Sequence, residues 1–347
     1  EWKMNSSWKT FLETQPGGVQ ASSRTGTAKN APDIECGLLD LSHLGLIRVS
    51  GEDAEHFLQG QLSNDVREVS NSHFQMSSYC TPKGRMLANF LVLRYAGDYL
   101  LQMPLELLPS VLKRLSMFVL LSKVQATDAS DQLVRIGVAG DCAFERLEAH
   151  VTGIPRAPGD AAESGAITLL RLAGERPRFE IIGEAEAIIG LWPKIAENAR
   201  IGDADWWSLL DIRAGIPTIR RSTVEAFVPQ MINMQLIDGV SFTKGCYTGQ
   251  EVVARMKYLG KLKRRMYLAH ADTDTRPLPG DEIFSAGSQS QQGAGKVVNA
   301  CMSPAGGYDL LAVLEVASAD EGDLHLQQIE GPRLELRELP YSLQEPE

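Results

Sequence analysis

The sequence has few of the residues that build disulfide-linked or metal-held scaffolds. Its 347 residues include five cysteines and six histidines, and no two cysteines have the C-x-x-C spacing of a zinc or redox motif. No histidine pair has HExxH or HxxxH spacing, so no local metal site can be recognised. The odd, scattered cysteines argue against a disulfide framework and predict reduced thiols in a cytoplasmic protein.

Long apolar runs and an excess of positive charge are also lacking. No run is long enough to span a bilayer, and the N-terminus shows no signal-peptide pattern, so no membrane partner is expected. The net charge of -10 argues against a surface coated for nucleic acid, although a local basic patch is compatible with it. At 44% hydrophobic and 22% charged residues, the chain is globular and long enough for two or three domains.

Composition and periodicity divide the chain into four parts. Residues 1–37 are predicted to be a flexible leader, since 15–34 are rich in Gly, Ser, Thr, Ala and Pro. Residues 38–132 and 133–259 mix strands with helices and are predicted as two α+β domains, which could exchange segments. Residues 260–347 alternate short apolar runs with turn residues and are predicted as a small β-barrel domain.

Two finer patterns support this division. Val49 to Ala54, followed by Leu58, aligns with Val138 to Ala143, followed by Leu147, and both copies predict a strand, a glycine and a short helix. Such self-similarity suggests two related halves, although so short a match also arises by chance. Asp203 is predicted to cap a helix over 204–214. The C-terminal strands are predicted at 266–271, 296–301, 308–316, 324–329 and 333–338.

The segment T-K-G-C-Y-T-G-Q-E at 243–251 mixes groups that no hydrophobic core requires. Thr248 and Glu251 have the spacing of a capping box, which predicts a helix start. Cys246 lies just before that start, beside Lys244, and both features are predicted to lower the pKa of its thiol. The alternative is a buried structural cysteine.

The segment closely resembles the signature of the YgfZ family of folate-binding proteins, and the resemblance covers about residues 38–343. It implies a fold similar to the glycine-cleavage T-protein: a three-domain ring of two ferredoxin-like α+β domains and a small β-barrel around a central folate cavity. It also implies a tetrahydrofolate cofactor and a role in supporting iron–sulfur enzymes and tRNA modification. The functional motif so implied consists of Lys244, Gly245, Cys246, Tyr247, Thr248, Gly249, Gln250 and Glu251.

The resemblance also implies a departure from T-protein chemistry. The positions that match the T-protein Asp-Asp pair are Ala88 and Asn89, and Arg213 stands where a pterin-binding glutamate is found. An amide cannot act as the anionic group that methylene transfer uses, so aminomethyl transfer is disfavoured and no independent turnover is expected. The folate-binding residues predicted on this basis are Trp207, Arg213 and Asn89. Trp207 could stack on a flat ring or simply pack in the core.

A basic segment follows the motif. It consists of Arg255, Lys257, Lys261, Lys263, Arg264 and Arg265. The segment could be a solvated helix end with a linker, a site for the glutamate tail of a polyglutamylated folate, or a contact for an RNA backbone. Three functions therefore remain open: a folate-dependent accessory protein, a one-carbon transferase and a tRNA-binding module.

Overall fold

The computed structural model describes residues 4–15, 35–119, 122–259, 262–288 and 293–344. Its helices are α1 (Ser6–Thr14), α2 (Ala54–Gln61), α3 (Leu108–Met117), α4 (Ala143–Glu148), α5 (Ala185–Ile195), α6 (Ala204–Arg213), α7 (Gln250–Leu259) and α8 (Val316–Glu321). Its strands are β1 (Cys36–Asp40), β2 (Leu44–Ser50), β3 (Gln75–Cys80), β4 (Met86–Tyr95), β5 (Asp98–Pro104), β6 (Gln125–Asp128), β7 (Leu133–Gly140), β8 (Ala161–Ser164), β9 (Ile167–Leu172), β10 (Arg178–Glu184), β11 (Arg200–Ile201), β12 (Arg264–Ala271), β13 (Glu282–Phe284), β14 (Gly295–Met302), β15 (Tyr308–Glu315), β16 (His325–Leu326) and β17 (Leu334–Arg337).

The strands form three sheets in the described part of the chain. The first has the order β3-β4-β5-β2-β6, the second β11-β1-β7-β10-β9-β8 and the third β16-β13-β14-β15-β12-β17. All pairs are antiparallel except β1 with β11. An isolated bridge between His325 and Arg333 joins the two edges of the third sheet at one point. The prediction of a mixed α+β architecture is confirmed.

The first two sheets face each other across a shared core. Alternation along β5 shows why: Leu101 packs towards α2 and α3, whereas Leu100 packs between the sheets. Along β10, Ile181 packs towards α4 and α5, whereas Ile182 packs between the sheets. Because side chains alternate across a strand, each sheet has one face for its helices and one for its neighbour.

The repeated strand–glycine–helix unit has the same geometry in both copies. Gly51 follows β2 and Gly140 ends β7, and each has φ +112°. A Cβ at Gly51 would lie 2.0 Å from the Lys123 carbonyl oxygen, and one at Gly140 would lie 1.9 Å from the Glu35 carbonyl oxygen. Only glycine fits both the left-handed backbone and the close approach of the neighbouring chain. The two halves therefore share a structural unit.

The predicted domain boundaries need two corrections. Strand β1 (36–40) lies at the start of the predicted first domain but pairs with β7 in the second sheet. Residues 216–259, predicted in the second domain, turn back onto the first: Ser241 N–H donates to Ser63 O at 3.0 Å, and Met86 N–H donates to Phe227 O at 2.9 Å. Backbone pairing, rather than position in the sequence, decides where these segments belong.

The prediction of a flexible leader over 1–37 is wrong for its first part. Residues Ser6–Thr14 form α1, whose Trp8 and Leu12 are buried. The Trp8 ring packs edge-on against Trp192 of α5, with centroids 5.2 Å apart. The helix is amphipathic, and burial of its two large apolar side chains holds it on the outer face of the second sheet. Residues 16–34, whose composition suggested flexibility, lie outside the described residues.

The expectation that all cysteines are reduced is also wrong. Cys36 and Cys142 form a disulfide across a sequence separation of 106 residues. Pairing of β1 with β7 brings them together, since Cys36 lies opposite Gly140 in the register. Spacing along the sequence carried no sign of this contact.

Reduction of this disulfide should destabilise the fold. A crosslink that closes a loop of about 100 residues restricts the unfolded chain and typically contributes about 2–4 kcal/mol. We expect a thiol reductant, or the double substitution of Cys36 and Cys142 by serine, to lower the free energy of unfolding by that amount in urea titrations. Cys246→Ser, at the exposed free cysteine, serves as the thiol control, and equal stability of the oxidised and reduced protein would contradict the prediction.

A carboxyl group buried between the first two sheets gives a pH-dependent prediction. Glu180 of β10 is 1% exposed and accepts a hydrogen bond from Gln102 Nε2 at 2.9 Å. Burial raises the pKa of Glu180 to about 7, and Gln102 and Arg135 oppose that rise. Since the folded-state value lies above the ordinary value of 4.5, stability is lost as pH rises from about 4.5 to about 7.

Glu180→Gln should remove that loss. Relative to the unsubstituted protein, the variant should gain ~3 kcal/mol of unfolding free energy between pH 4 and pH 8. Urea titrations at the two pH values measure the difference. Glu163→Gln, at an exposed position of β8, is the control and should show no such trend. An identical pH dependence of Glu180→Gln and the unsubstituted protein would show that Glu180 ionises freely in the fold.

Candidate functional site

Lys244 anchors the motif to the first sheet's helix α2. The residue is 5% exposed, and its Nζ donates to the carbonyl oxygens of Gln59 at 2.7 Å, Leu62 at 2.6 Å and Asn64 at 2.9 Å. Burial lowers the pKa of Lys244 to about 8, so the amine keeps three protons at neutral pH. Three N–H groups therefore meet three carbonyl groups at and beyond the C-terminus of α2, where orphan acceptors lie.

Tyr247 continues the same anchor. Its ring is buried and lies 5.1 Å from Lys244 Nζ, measured to the ring centroid. Burial raises the pKa of Tyr247, so the phenol stays neutral. The backbone N–H of Thr248 donates to Gly60 O of α2 at 3.4 Å. The motif is thus fixed at both sides of Cys246.

The thiol of Cys246 is presented on the surface between these anchors. Cys246 is a free and exposed cysteine, whereas the other free cysteines, Cys80 and Cys301, are buried. Its neighbour Gly245 is also exposed, and a Cβ there would meet no atom within 4 Å. The alternative of a buried structural cysteine is wrong for this residue. Gly245 leaves open space beside the thiol.

The helix after the motif starts differently from the prediction. Helix α7 begins at Gln250, four residues after Cys246, and the predicted capping box is not formed. The carboxylate of Glu251 instead accepts from Arg255, one turn further along, at 2.6 Å. Because the Glu251 carboxylate pairs with Arg255 at i,i+4, it does not accept from the Thr248 N–H, which donates to Gly60 O of α2 instead.

Gly249 is required by its surroundings. Its φ is +88°, and a Cβ there would lie 2.6 Å from Thr81 O and 3.1 Å from the Cα of Gly84. The turn between β3 and β4 therefore packs closely against the motif, and Val252 of α7 contacts the same turn. The start of α7 can approach this turn only with glycine at position 249.

The predicted basic segment is divided by the fold. Arg264 is paired with Glu315 of the third sheet at 3.1 Å, and Arg265 donates to the Leu343 carbonyl oxygen beyond β17, so both make contacts within the C-terminal part of the fold. Lys257 Nζ lies 3.9 Å from the centroid of the Phe242 ring, and Arg255 pairs with Glu251. Lys263 is exposed, and Lys261 lies outside the described residues. The exposed basic surface is therefore smaller than the six basic residues of the predicted segment suggested.

The three residues predicted to bind folate all contact other parts of the protein. Trp207 is 2% exposed and packs in the core between the sheets. Asn89 Nδ2 donates to Pro217 O at 2.8 Å, and its Oδ1 accepts from Ile219 N–H at 2.9 Å. Arg213 donates to the buried Asp309 at 2.9 Å. None of the three lines the large cavity described next.

A cavity of about 610 Å³ lies where all three sheets and α6 meet. Its wall includes Asp40 of β1, Leu105 after β5, Asp211 and Ile212 of α6, and Cys301 of β14. Sequence reasoning missed Asp40 because nothing in C-G-L-L-D shows that β1 runs along a cavity. The cavity was expected from the family resemblance, but its lining depends on long-range pairing of strands.

The cavity can hold a group of folate size and chemistry. A volume of about 610 Å³ is within the range of sites that enclose small cofactors. Ile212, Ile216 and Leu278 offer an apolar wall, and Arg220 and Arg276 bring positive charge. The lining also carries five acidic side chains, so the wall offers acceptors to the N–H groups of a flat heterocycle and arginine donors to carboxylates. The acidic residues are Asp40, Glu106, Asp203, Asp205 and Asp211. Among the described residues, no cluster of His, Cys, Asp and Glu could hold a metal ion.

Comparison with known proteins identifies relatives of nearly full length. Residues 9–157 match the GCVT N-terminal domain. The tRNA-modifying protein YgfZ of Colwellia psychrerythraea is 31% identical over 325 residues, which cover 91% of this chain and 98% of the relative. The tRNA-modifying protein YgfZ of Sodalis glossinidius is 32% identical over 308 residues, covering 89% and 94%.

A solved structure supports the fold. The glycine cleavage system aminomethyltransferase T from Bartonella henselae aligns with a TM-score of 0.69 at 17% identity, covering 88% of this chain and 86% of that chain. At this identity the likeness concerns the fold alone. No helix in the described ranges is long and apolar enough to cross a membrane.

Proposed function

Because the chain belongs to the YgfZ family of tRNA-modifying proteins, we propose that it is a folate-binding accessory protein that supports iron–sulfur enzymes, including enzymes that modify tRNA. The observation that carries the proposal is the presentation of Cys246. A single accessible thiol stands on a loop whose two sides are fixed, by Lys244 and by Thr248, to the same helix. Such a rigid, exposed thiol suits contact with a partner.

The proposed folate site is the 610 Å³ cavity, as the centre of a ring made by the three sheets. Apolar residues would cover the faces of the heterocycle, and Arg220 and Arg276 would attract the glutamate carboxylates. A bound tetrahydrofolate would supply the nitrogen atoms that carry one-carbon units. The protein's residues would bind and orient it and exclude water from it. Of the predicted residues, Asn89 would support this site by holding the backbone of Pro217 and Ile219, on either side of the lining residue Thr218. Trp207 and Arg213 lie on α6, whose Asp211 and Ile212 line the cavity.

Aminomethyl transfer is not part of the proposal. Ala88 is buried in the core, and both polar atoms of Asn89 are used by the backbone of Pro217 and Ile219. At these two positions there is no carboxylate to act on a folate nitrogen. Basic residues that remain exposed, such as Lys263, would allow direct binding of tRNA as a weaker second role. The proposed location of the protein is the cytoplasm, beside its client enzymes.

Complementation of a strain that lacks its own YgfZ tests the proposal. Cys246→Ser and Cys246→Ala should accumulate as folded protein and fail to restore the activity of iron–sulfur-dependent tRNA-modifying enzymes. Thr243→Ala, an exposed position on the same loop, is the matched control and should restore it. Full restoration by Cys246→Ser would mean that the thiol is dispensable and would overturn the proposed role of Cys246.

A further inference from the structure

The carboxyl group of Asp40 is held asymmetrically in the cavity wall. Its Oδ1 accepts from Trp8 Nε1 at 2.8 Å, from Ser42 Oγ at 2.6 Å and from Ser42 N–H at 3.3 Å. Its Oδ2 has no hydrogen-bond partner among the described residues, although Asp40 is only 9% exposed. One oxygen is therefore saturated, and the other is left to the cavity that Asp40 lines.

The other acidic residues of the cavity wall have partners. Asp205 pairs with Arg276 at 3.0 Å, and Asp211 pairs with Arg178 at 2.8 Å. Asp203 caps α6 by accepting from Trp206 N–H at 2.9 Å. Glu106 accepts from the Arg221 N–H at 3.2 Å. Except in Asp205, each of these groups also has a second oxygen without a partner among the described residues, but Asp40 is the only one of the five that is buried.

We propose that Asp40 Oδ2 is the acceptor that recognises the N–H-bearing edge of an amino-substituted heterocycle bound in the cavity, and that Trp8 is its positioning residue. The inference rests on the proposed folate site and assigns its polar contact. A carboxylate oxygen accepts well from amino and ring N–H groups of a flat heterocycle. Because Oδ1 already holds three donors, the ligand meets Oδ2 in one fixed orientation.

The N-terminal helix is then part of the binding site. Trp8 lies on α1, and its indole is fixed by Phe11, stacked at 5.4 Å, and by Trp192, edge-on at 5.2 Å, both measured between ring centroids. Met4, just before α1, lines the same cavity. A rigid indole that donates to Oδ1 sets the rotation of the carboxyl group. Burial raises the pKa of Asp40, and the hydrogen bonds from Ser42 and Trp8 and the charge of Arg135 oppose the rise. A ligand's donors would likewise favour the ionised form.

Two substitutions separate recognition from packing. Asp40→Asn keeps the size of the side chain, and its oxygen can retain the three donors at Oδ1. The amide then places an N–H donor where the acceptor Oδ2 stood, which repels a donor edge. Trp8→Phe keeps an aromatic ring between Phe11 and Trp192 but removes the indole N–H. Trp192→Phe alters the same aromatic cluster without touching Asp40 and is the matched control.

The experiment is a calorimetric titration of the full chain with 5-formyltetrahydrofolate and with its 2-desamino-2-methyl analogue. We expect Asp40→Asn to weaken binding of 5-formyltetrahydrofolate by about 10–100-fold and Trp8→Phe by about 3–10-fold, with Trp192→Phe within about twofold of the unsubstituted protein. The unsubstituted protein should prefer the 2-amino ligand by at least about tenfold, and Asp40→Asn should lose that preference.

The outcomes distinguish the two proposals. If the unsubstituted protein binds neither ligand at millimolar concentration, the proposed folate site fails and the assignment of Asp40 fails with it. If it binds and Asp40→Asn keeps both the affinity and the preference, the folate site stands and Asp40 is not its polar contact. Since the ligand preference of the unsubstituted protein needs no variant, a variant that does not fold still leaves a decisive result: no preference for the 2-amino group overturns the assignment.

Discussion

Iodoacetamide at pH 7.5 is expected to alkylate Cys246 at least about 100-fold faster than Cys80 or Cys301. Cys246 is exposed, whereas the other two free thiols are buried. Burial raises the pKa of Cys80 and that of Cys301 to about 12, so both remain protonated and covered. Cys36 and Cys142 are protected by their disulfide. Mass spectrometry of tryptic peptides after a brief exposure measures each rate.

The denatured protein is the control for this experiment. In urea, without reductant, Cys80, Cys246 and Cys301 should react at similar rates, since the selectivity comes from the fold. Comparable labelling of Cys301 and Cys246 in the native protein would mean that the cavity wall at Cys301 is open to reagent. That result would contradict the claim that the accessible thiol of this protein lies in the motif.

Lys244→Met should lower the free energy of unfolding by about 3 kcal/mol. Methionine fills a similar volume but offers no donor, so three carbonyl oxygens that now accept from Lys244 Nζ lose their partner in a buried site. An unsatisfied buried acceptor typically costs about 1–3 kcal/mol, and partial relaxation reduces the sum. Urea titration followed by circular dichroism measures the change.

Two variants control for charge and for shape at this position. Lys263→Met removes a positive charge at an exposed position and should change stability by less than about 0.5 kcal/mol. Lys244→Arg keeps the charge, but a planar guanidinium cannot direct its donors at three converging carbonyl groups, so it should also destabilise. A Lys244→Met protein as stable as the unsubstituted one would show that the lysine serves the motif's chemistry rather than its anchoring.

Local patterns in the sequence predicted the elements that local physics decides. The Asp203 cap is confirmed by its bond to Trp206 N–H, and α6 ends at Arg213, before Gly215. The strands predicted at 266–271, 296–301 and 308–316 correspond to β12, β14 and β15. In each case the signal lies within a few residues: a capping side chain, a glycine or an alternating apolar run.

Features that depend on distant partners could not be predicted in this way. Strand β1 joins the second sheet and the Cys36–Cys142 disulfide forms because β1 pairs with β7, about 100 residues away. Helix α1 was missed because its burial depends on Trp192 of α5. The short strand β13 and helix α8 were also missed, since neither has a pattern long enough to stand out.

The motif shows both what local sequence patterns can predict and what they cannot. Its composition correctly singled out 243–251 as unusual, and the exposed thiol of Cys246 fits that interpretation. The role of Lys244 was different from the prediction: its Nζ is bound to three carbonyl oxygens of the α2 region and acts mainly as an anchor. Which carbonyl groups would converge on one amine follows from the packing of α2 against the loop, and no pattern within nine residues contains that information.

A crystal structure of the protein soaked with 5-formyltetrahydrofolate tests the central claim most directly. We predict electron density for the heterocycle in the 610 Å³ cavity, with an N–H group within hydrogen-bonding distance of Asp40 Oδ2 and the glutamate carboxylates towards Arg220 or Arg276. Cys246 should remain exposed in the same crystal. An empty cavity at millimolar ligand, or density bound elsewhere on the molecule, would contradict the account.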